Sequence, residues 1–144
     1  MQLKTAAEAV SFARELEEHS AQFYRELAER DIADGQTWLS FARENGKNII
    51  QIEMAYYGGI SDALESCFAF DINRDEFTCK TELPPAVSYA QALARALEME
   101  EKIRKFYSVA ARQSRLLMAD VPRSFTMVAR KRDNRISILK SFLG

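Results

Sequence analysis

The stretch VARKRDNRISIL, residues 128–139, decides the fold because it combines helical periodicity with two charges on the apolar side. Successive residues of an α-helix turn by about 100° around its axis. On such a helix, four aliphatic side chains share one face: Val128, Ala129, Ile136 and Leu139. Arg132 and Arg135 fall on that same face. The stretch therefore predicts a helix whose inner side carries two cations, and buried cations need paired anions.

The length and charge of the chain limit the classes of protein it can belong to. Its 144 residues suffice for a hydrophobic core, so we treat residues 1–144 as a single domain. Charged residues make up 28% and the net charge is −1, so no strong field attracts nucleic acid or an anionic membrane. No apolar run could span a bilayer, and no signal-peptide pattern is present. These features predict a soluble, cytoplasmic protein that binds neither nucleic acid nor membranes.

The two cysteines give no metal motif. Cys67 and Cys79 stand twelve positions apart, and no CxxC occurs. This spacing suits neither a zinc ribbon nor a rubredoxin-type iron site. We interpret both as ordinary thiols in a reducing compartment, with a single disulfide as the alternative.

Four amphipathic helices are predicted, and no long period-two pattern indicates strands, so the fold class is all-α. The predicted helices cover about residues 5–30, 36–57, 88–119 and 123–144. Two of them begin with a capping box, TAAE at Thr5 and SYAQ at Ser88.

The connections predict how these helices are arranged. Short links, DIADG and DVPRS, join helices 1 to 2 and 3 to 4, so each pair forms an antiparallel hairpin. The connection at residues 58–87 is much longer. Such a length in a compact domain fits a crossover along the whole bundle, so that helix 3 starts at the same end as helix 2. Part of the crossover, SDALESCF, could form a short helix.

The hairpin pattern occurs twice in the sequence. LEEHSAQFY at 16–24 matches MEEKIRKFY at 99–107, and WLSFARENGKNIIQI at 38–52 matches FTMVARKRDNRISIL at 125–139. The two hairpins should therefore be related by approximate two-fold symmetry. Coincidence between two amphipathic patterns is the alternative.

The helical wheels bring six polar residues to the centre of the bundle. Glu17 lies within about 40° of an apolar stripe on helix 1, whereas Glu18 lies about 100° away. Helix 3 repeats this pattern around Glu100. The inner arc of helix 2 is centred on Asn45, and that of helix 4 on Arg132. The predicted central cluster comprises Glu17, Asn45, Asn48, Glu100, Arg132 and Arg135. Alternatively, the wheels are rotated and the long arginines extend out to water.

This pattern resembles the ferritin-like superfamily, and within it the rubrerythrin-like proteins. The resemblance covers the four helices. It consists of a glutamate six residues before Phe-Tyr in helices 1 and 3 (Glu17 and Glu100) and of the F/W-x-x-F/V-A lead-in at 38–42 and 125–129. It implies a ferritin-like four-helix bundle of two antiparallel hairpins joined by a long crossover.

The resemblance also implies where a di-iron centre would lie. In di-iron members, helices 1 and 3 each give one Glu, and helices 2 and 4 each give a Glu-x-x-His pair. Here those pairs read Asn45-x-x-Asn48 and Arg132-x-x-Arg135. A shift by one residue offers Glu44-x-x-Lys47, on a face that we interpret as solvent-exposed. His19 is the only histidine and should be exposed.

The charges of the cluster predict that it needs no metal. Arg132 and Arg135 balance Glu17 and Glu100, and the arginine fork matches a carboxylate in two parallel hydrogen bonds. An entering divalent ion would meet two fixed positive charges. We therefore expect no cofactor and no catalytic residue. If a metal does bind, its ligands are Glu17 and Glu100.

Three functional classes are compatible with the sequence. The first is a metal-free ferritin-like scaffold that acts through association, with a homodimer or a higher homo-oligomer expected. The second is a rubrerythrin-like oxidoreductase that reduces peroxide or oxygen at iron, or an iron-binding protein. The third is a binder of a small molecule or lipid in the bundle centre. Self-association is favoured by a second apolar side of helix 2, which either the crossover or a second subunit could cover: Leu39, Ile50, Met54 and Tyr57.

Overall fold

A computed structural model describes residues 2–59, 69–117 and 120–143 of the chain. In this part, four long helices follow one another: α1 (Ala6–Glu29), α2 (Gly35–Gly59), α3 (Tyr89–Gln113) and α4 (Asp120–Phe142). Two short strands, β1 (Gln2–Leu3) and β2 (Ile72–Asn73), and a 3-10 turn at Arg74–Glu76 complete the described elements. The prediction of an all-α four-helix bundle is confirmed.

Contacts between side chains give the direction of each helix. Arg14 binds Glu53 across the first hairpin, and Arg104 binds Asp133 across the second. Between the hairpins, Tyr24 reaches Glu100 while Tyr107 reaches Glu17. Because the later residue of α1 meets the earlier residue of α3, these two helices are antiparallel. Helices α2 and α3 therefore run in the same direction, as expected for a crossover that spans the bundle.

Capping boxes fix the starts of α1 and α3. The Thr5 hydroxyl accepts a hydrogen bond from the Glu8 amide, and the Glu8 carboxylate accepts one from the Thr5 amide. Ser88 and Gln91 form the same reciprocal pair at α3. Each box satisfies backbone donors that have no partner inside the helix.

Two predicted helix ends were wrong. Helix α3 ends at Gln113, six residues before the predicted position, and there the Gln113 side chain binds both the amide and the carbonyl of Asp71 in the crossover. Helix α4 begins at Asp120, before Pro122 rather than after it. A proline is compatible with the first turn, where the missing N–H would have no helical partner.

The β1–β2 ladder was not predicted. Leu3 pairs with Ile72, Gln2 pairs with Asn73, and the Phe70 amide donates to the Lys4 carbonyl. Two-residue strands are too short to show an alternating pattern. The ladder ties the crossover to the segment before α1. The short helix predicted at 61–68 lies outside the described residues.

The described part of the crossover packs away from the outer side of α2. Phe70 contacts the ring of Phe125 on α4, and Phe77 contacts Phe106 on α3. The second apolar side of α2 stays exposed, with exposed fractions of 38, 59, 69 and 64% at Leu39, Ile50, Met54 and Tyr57. Of the two covers left open for this side, the crossover does not provide one through residues 69–87, which include Phe70 and Phe77.

Each capping box should make a measurable contribution to the free energy of unfolding. Thr5→Ala and Ser88→Ala should each lower the free energy of unfolding by about 1 kcal/mol. Each substitution removes a hydroxyl that accepts a hydrogen bond from a backbone amide without a partner inside the helix. Chemical denaturation measures this. The control is Ser11→Ala, at an exposed position inside α1, which should be neutral or slightly stabilising. Equal losses in all three variants would contradict the role of the caps.

Candidate functional site

The six residues of the predicted cluster all lie in the interior. Glu17, Asn45, Asn48, Glu100 and Arg132 are 0% exposed, and Arg135 is 1% exposed. Each of the four helices contributes at least one of them. We call this set the central network. Its tyrosine partners contact further aromatic rings of the core, Tyr24 that of Trp38 and Tyr107 that of Phe125.

Glu17 of α1 accepts hydrogen bonds from three other helices. Its Oε2 accepts from Nη2 of Arg132 and from the Tyr107 hydroxyl at 2.8 Å. Its Oε1 accepts from Nδ2 of Asn48 at 3.0 Å. The backbone carbonyl of Glu17 accepts from Nδ2 of Asn45 at 2.9 Å. Both asparagines of α2 therefore act as donors to α1.

Glu100 of α3 is the second buried carboxylate. Nη1 of Arg132 lies 2.8 Å from Oε1 and 2.7 Å from Oε2. The Tyr24 hydroxyl donates to Oε2 at 2.5 Å, and Nη1 of Arg135 lies 3.5 Å from the same oxygen. All four carboxylate oxygens of Glu17 and Glu100 thus accept hydrogen bonds from the protein.

Arg132 stands between the two carboxylates. Its Nη2 faces Glu17, while its Nη1 faces Glu100 and also donates to Oγ of Ser20 at 3.1 Å. Two buried side-chain atoms of the described residues lack a hydrogen-bond partner, Nε of Arg132 and Oδ1 of Asn45. The network is therefore satisfied except at one donor and one acceptor.

Arg135 connects the network to the surface. Its Nη2 donates to the Phe41 carbonyl at 2.7 Å, and its Nε donates to Glu44 at 2.9 Å. The guanidinium also lies over the ring of Phe41, 4.9 Å from the centroid, and 5.6 Å from that of Tyr24. The Glu44 side chain is 34% exposed, so Arg135 is held between a buried acid and a half-exposed one.

Sequence reasoning missed several partners of the network, including the Ser20 hydroxyl and the Lys131 ammonium. Tyr24 and Tyr107 were noted in apolar stripes and in the Phe-Tyr pairs but not as hydrogen-bond donors, although their repeated position about two turns after each glutamate was a usable signal. Glu44 was assigned to a solvent-facing side. It is half-buried, and its carboxylate nevertheless reaches Arg135. The contact depends on the direction in which the long Arg135 side chain extends, which the sequence does not give.

The buried charges of the described residues cancel. Glu17 and Glu100 supply two negative charges, and Arg132 and Arg135 supply two positive ones. At the margin, Lys131 donates to Asn48 and Gln51 at 3.2 Å each, while Glu44 supplies the opposite charge. A neutral, hydrogen-bonded cluster avoids most of the cost of burying isolated ions.

The charges also set the ionisation of the buried groups. Burial alone would raise the pKa of Glu100, but the positive charges of Arg132 and Arg135 outweigh it and lower the pKa below its ordinary value. Burial and the nearby Glu100 carboxylate raise the pKa of Tyr24 well above normal, and burial and Glu17 do the same for Tyr107. The network therefore holds an ionised Glu100 and two neutral phenols.

The histidine and the described cysteine lie outside the network. His19 is exposed, as predicted, and borders a surface cavity that Cys79 also lines. Cys79 is a free thiol whose pKa is raised by burial. Cys67 lies outside the described residues. Among residues 2–59, 69–117 and 120–143, no three His, Cys, Asp or Glu side chains form a group suited to a metal ion.

Comparisons with known proteins give no family. The chain matches no family model, no curated protein and no solved structure. The resemblance to ferritin-like proteins therefore stays a prediction from the sequence. None of the described helices is both long and apolar enough to cross a lipid bilayer.

Removal of Arg132 should cost far more than removal of an exposed arginine. Arg132→Ala should lower the free energy of unfolding by about 3–5 kcal/mol, because it leaves two buried carboxylates without their shared cation. Chemical denaturation measures this loss. The control is Arg123→Ala on the same helix, where the side chain is 68% exposed and a change within about 0.5 kcal/mol is expected. Similar small losses in both variants would contradict the buried role.

Glu100 should contribute a pH-dependent part of the stability. Because its pKa is lowered on folding, its contribution is complete above its ordinary pKa of 4.5 and disappears as the pH falls through the folded value. Glu100→Gln should therefore be clearly less stable than the parent at pH 7, and the difference should shrink below pH 4.5. Thermal melting across pH tests this against Glu101→Gln, an exposed neighbour. A difference that stays constant with pH would contradict it.

Proposed function

We propose that this protein is a metal-independent, rubrerythrin-like helical scaffold of the ferritin-like superfamily, without catalytic activity. In this proposal the central network replaces a di-iron centre. The observation that supports it most strongly is the position of Arg132, whose guanidinium contacts the carboxylates of both Glu17 and Glu100. These are the two acids that the resemblance would assign to metal.

The donor set does not fit a di-iron centre. Every carboxylate oxygen of Glu17 and Glu100 already accepts a hydrogen bond from Arg132, Tyr24, Tyr107 or Asn48. A guanidinium has no lone pair to offer a metal. The two buried cations would also repel a divalent ion at short range. We therefore derive no metal-dependent step for this chain.

The network instead suits a role in fixing the helices relative to one another. Arg132 joins α4 to α1 and α3, Arg135 joins α4 to α2, and Asn45 joins α2 to α1. A shift of one helix along its axis would separate several of these pairs. Buried polar groups can specify one arrangement where apolar contacts allow several. We propose that the scaffold works in the cytoplasm, where a free thiol such as Cys79 stays reduced.

Metal analysis of the purified protein tests the proposal. Protein isolated from iron-supplemented cells should carry far less than one iron per chain, and its melting temperature should not change with a chelator or with added ferrous iron. Two irons per chain, together with a melting temperature lowered by the chelator, would overturn the proposal and favour the di-iron oxidoreductase.

A variant with the missing ligands provides the matched comparison. Asn45→Glu, Asn48→His, Arg132→Glu and Arg135→His together restore a Glu-x-x-His pair on α2 and on α4. This variant should bind cobalt, seen as visible absorption, whereas the parent should not. Circular dichroism shows whether the variant folds. Equal cobalt binding by both proteins would contradict the proposal.

A further inference from the structure

The outer side of α2 carries a mixed stripe that points away from the bundle. Seven residues lie within about 60° of one line along the helix. We call them the α2 seam: Leu39, Arg43, Gly46, Ile50, Glu53, Met54 and Tyr57. Its large apolar members are between 38% and 69% exposed. Helix α2 already buries its opposite side in the bundle. A second apolar stripe of this length indicates a surface that another protein segment covers.

Gly46 lies in the middle of this seam, and no contact within the described residues of its own chain requires a glycine there. A Cβ atom added there would meet no heavy atom within 4 Å. Glycine inside a helix is less stabilising than alanine, because it loses more conformational freedom on folding. A glycine on an exposed helix face does, however, allow close approach by another helix or side chain.

We propose that the α2 seams of two copies of this chain pack against each other in antiparallel orientation, about a two-fold axis at position 48. In this register Gly46 faces Ile50 of the second copy, so a large side chain enters the space that glycine leaves open. Leu39 faces Tyr57, and Arg43 faces Glu53. The two-fold axis repeats each contact, as a closed homodimer requires.

The charges favour a second copy in this orientation. The antiparallel register sets a cation opposite an anion twice, at Arg43 and Glu53. A parallel register would set Arg43 against Arg43 and Glu53 against Glu53, and like charges in contact are repulsive. In this register a small residue faces a large one and a cation faces an anion. The seam is therefore complementary to the same seam of a second copy, and no different partner is required.

Neighbouring helices can enlarge the contact. Met54 borders a groove of about 280 Å³ between α2 and α4, which Met127 also lines. On the other side, Glu53 already binds Arg14 of α1 at 2.8 Å. A stable interface buries about 800 Å² on each partner, more than the stripe of one helix provides. The flanking residues therefore belong to the proposed contact, and a dimer that dissociates on dilution is expected.

Mass measurement in solution is the first test. Sedimentation over a dilution series should give twice the 16.4 kDa of one chain at the higher concentrations. Ile50→Glu and Gly46→Leu should each raise the dissociation constant about tenfold or more, since both act at the centre of the interface. The control is Leu116→Glu, where the parent side chain is 94% exposed and lies off the seam; it should leave the constant unchanged. Circular dichroism and melting verify that every variant folds.

A charge exchange tests the register itself. Arg43→Glu alone and Glu53→Arg alone should each weaken self-association, because each creates two like-charge contacts per homodimer. A mixture of the two variants should form the mixed dimer, in which every contact again joins opposite charges. A parent that is a monomer at all concentrations, or an assembly that ignores the seam variants, would overturn the proposal. Failure of the mixture to restore association would overturn the antiparallel register.

Discussion

The guanidinium of Arg132, held between two buried carboxylates, is the interaction on which the rest of this bundle depends. It contacts Glu17 on α1 and Glu100 on α3, so one side chain of α4 binds one helix of each hairpin. Without it, the two acids would face each other in a medium where like charges repel strongly. The hydroxyls of Tyr24 and Tyr107 complete the shell but carry no charge to balance the acids. Loss of this cation would therefore strongly destabilise the bundle.

Periodicity explains why so much of this centre was visible in the sequence. The inward direction of Glu17, Asn45 and Arg132 depends only on the rotation of residues within one helix, and a single sequence contains that information. Helix starts at Thr5 and Ser88 were visible for the same reason, since a capping box is a local motif.

Features that depend on distant contacts were not accessible in this way. Helix α3 ends where Gln113 meets the backbone of Asp71, forty-two positions away. The ladder between Leu3 and Ile72 brings together two segments that lie sixty-nine positions apart and that no local pattern connects. Glu44 joins the network through the reach of Arg135, because a long side chain can bind an acid well off its own axis. In each case tertiary contacts, not helical propensity, determine the structure.

The two hairpins differ in interior charge, and this difference helps to hold them together. Asn45 and Asn48 of α2 occupy the repeat positions that Arg132 and Arg135 occupy on α4. The interior of the first hairpin therefore carries the single negative charge of Glu17. The interior of the second carries one negative and two positive charges, a surplus of one cation. The two hairpins thus meet with opposite interior charges, so their attraction is directed across the bundle axis and favours pairing of unlike hairpins over pairing of like ones.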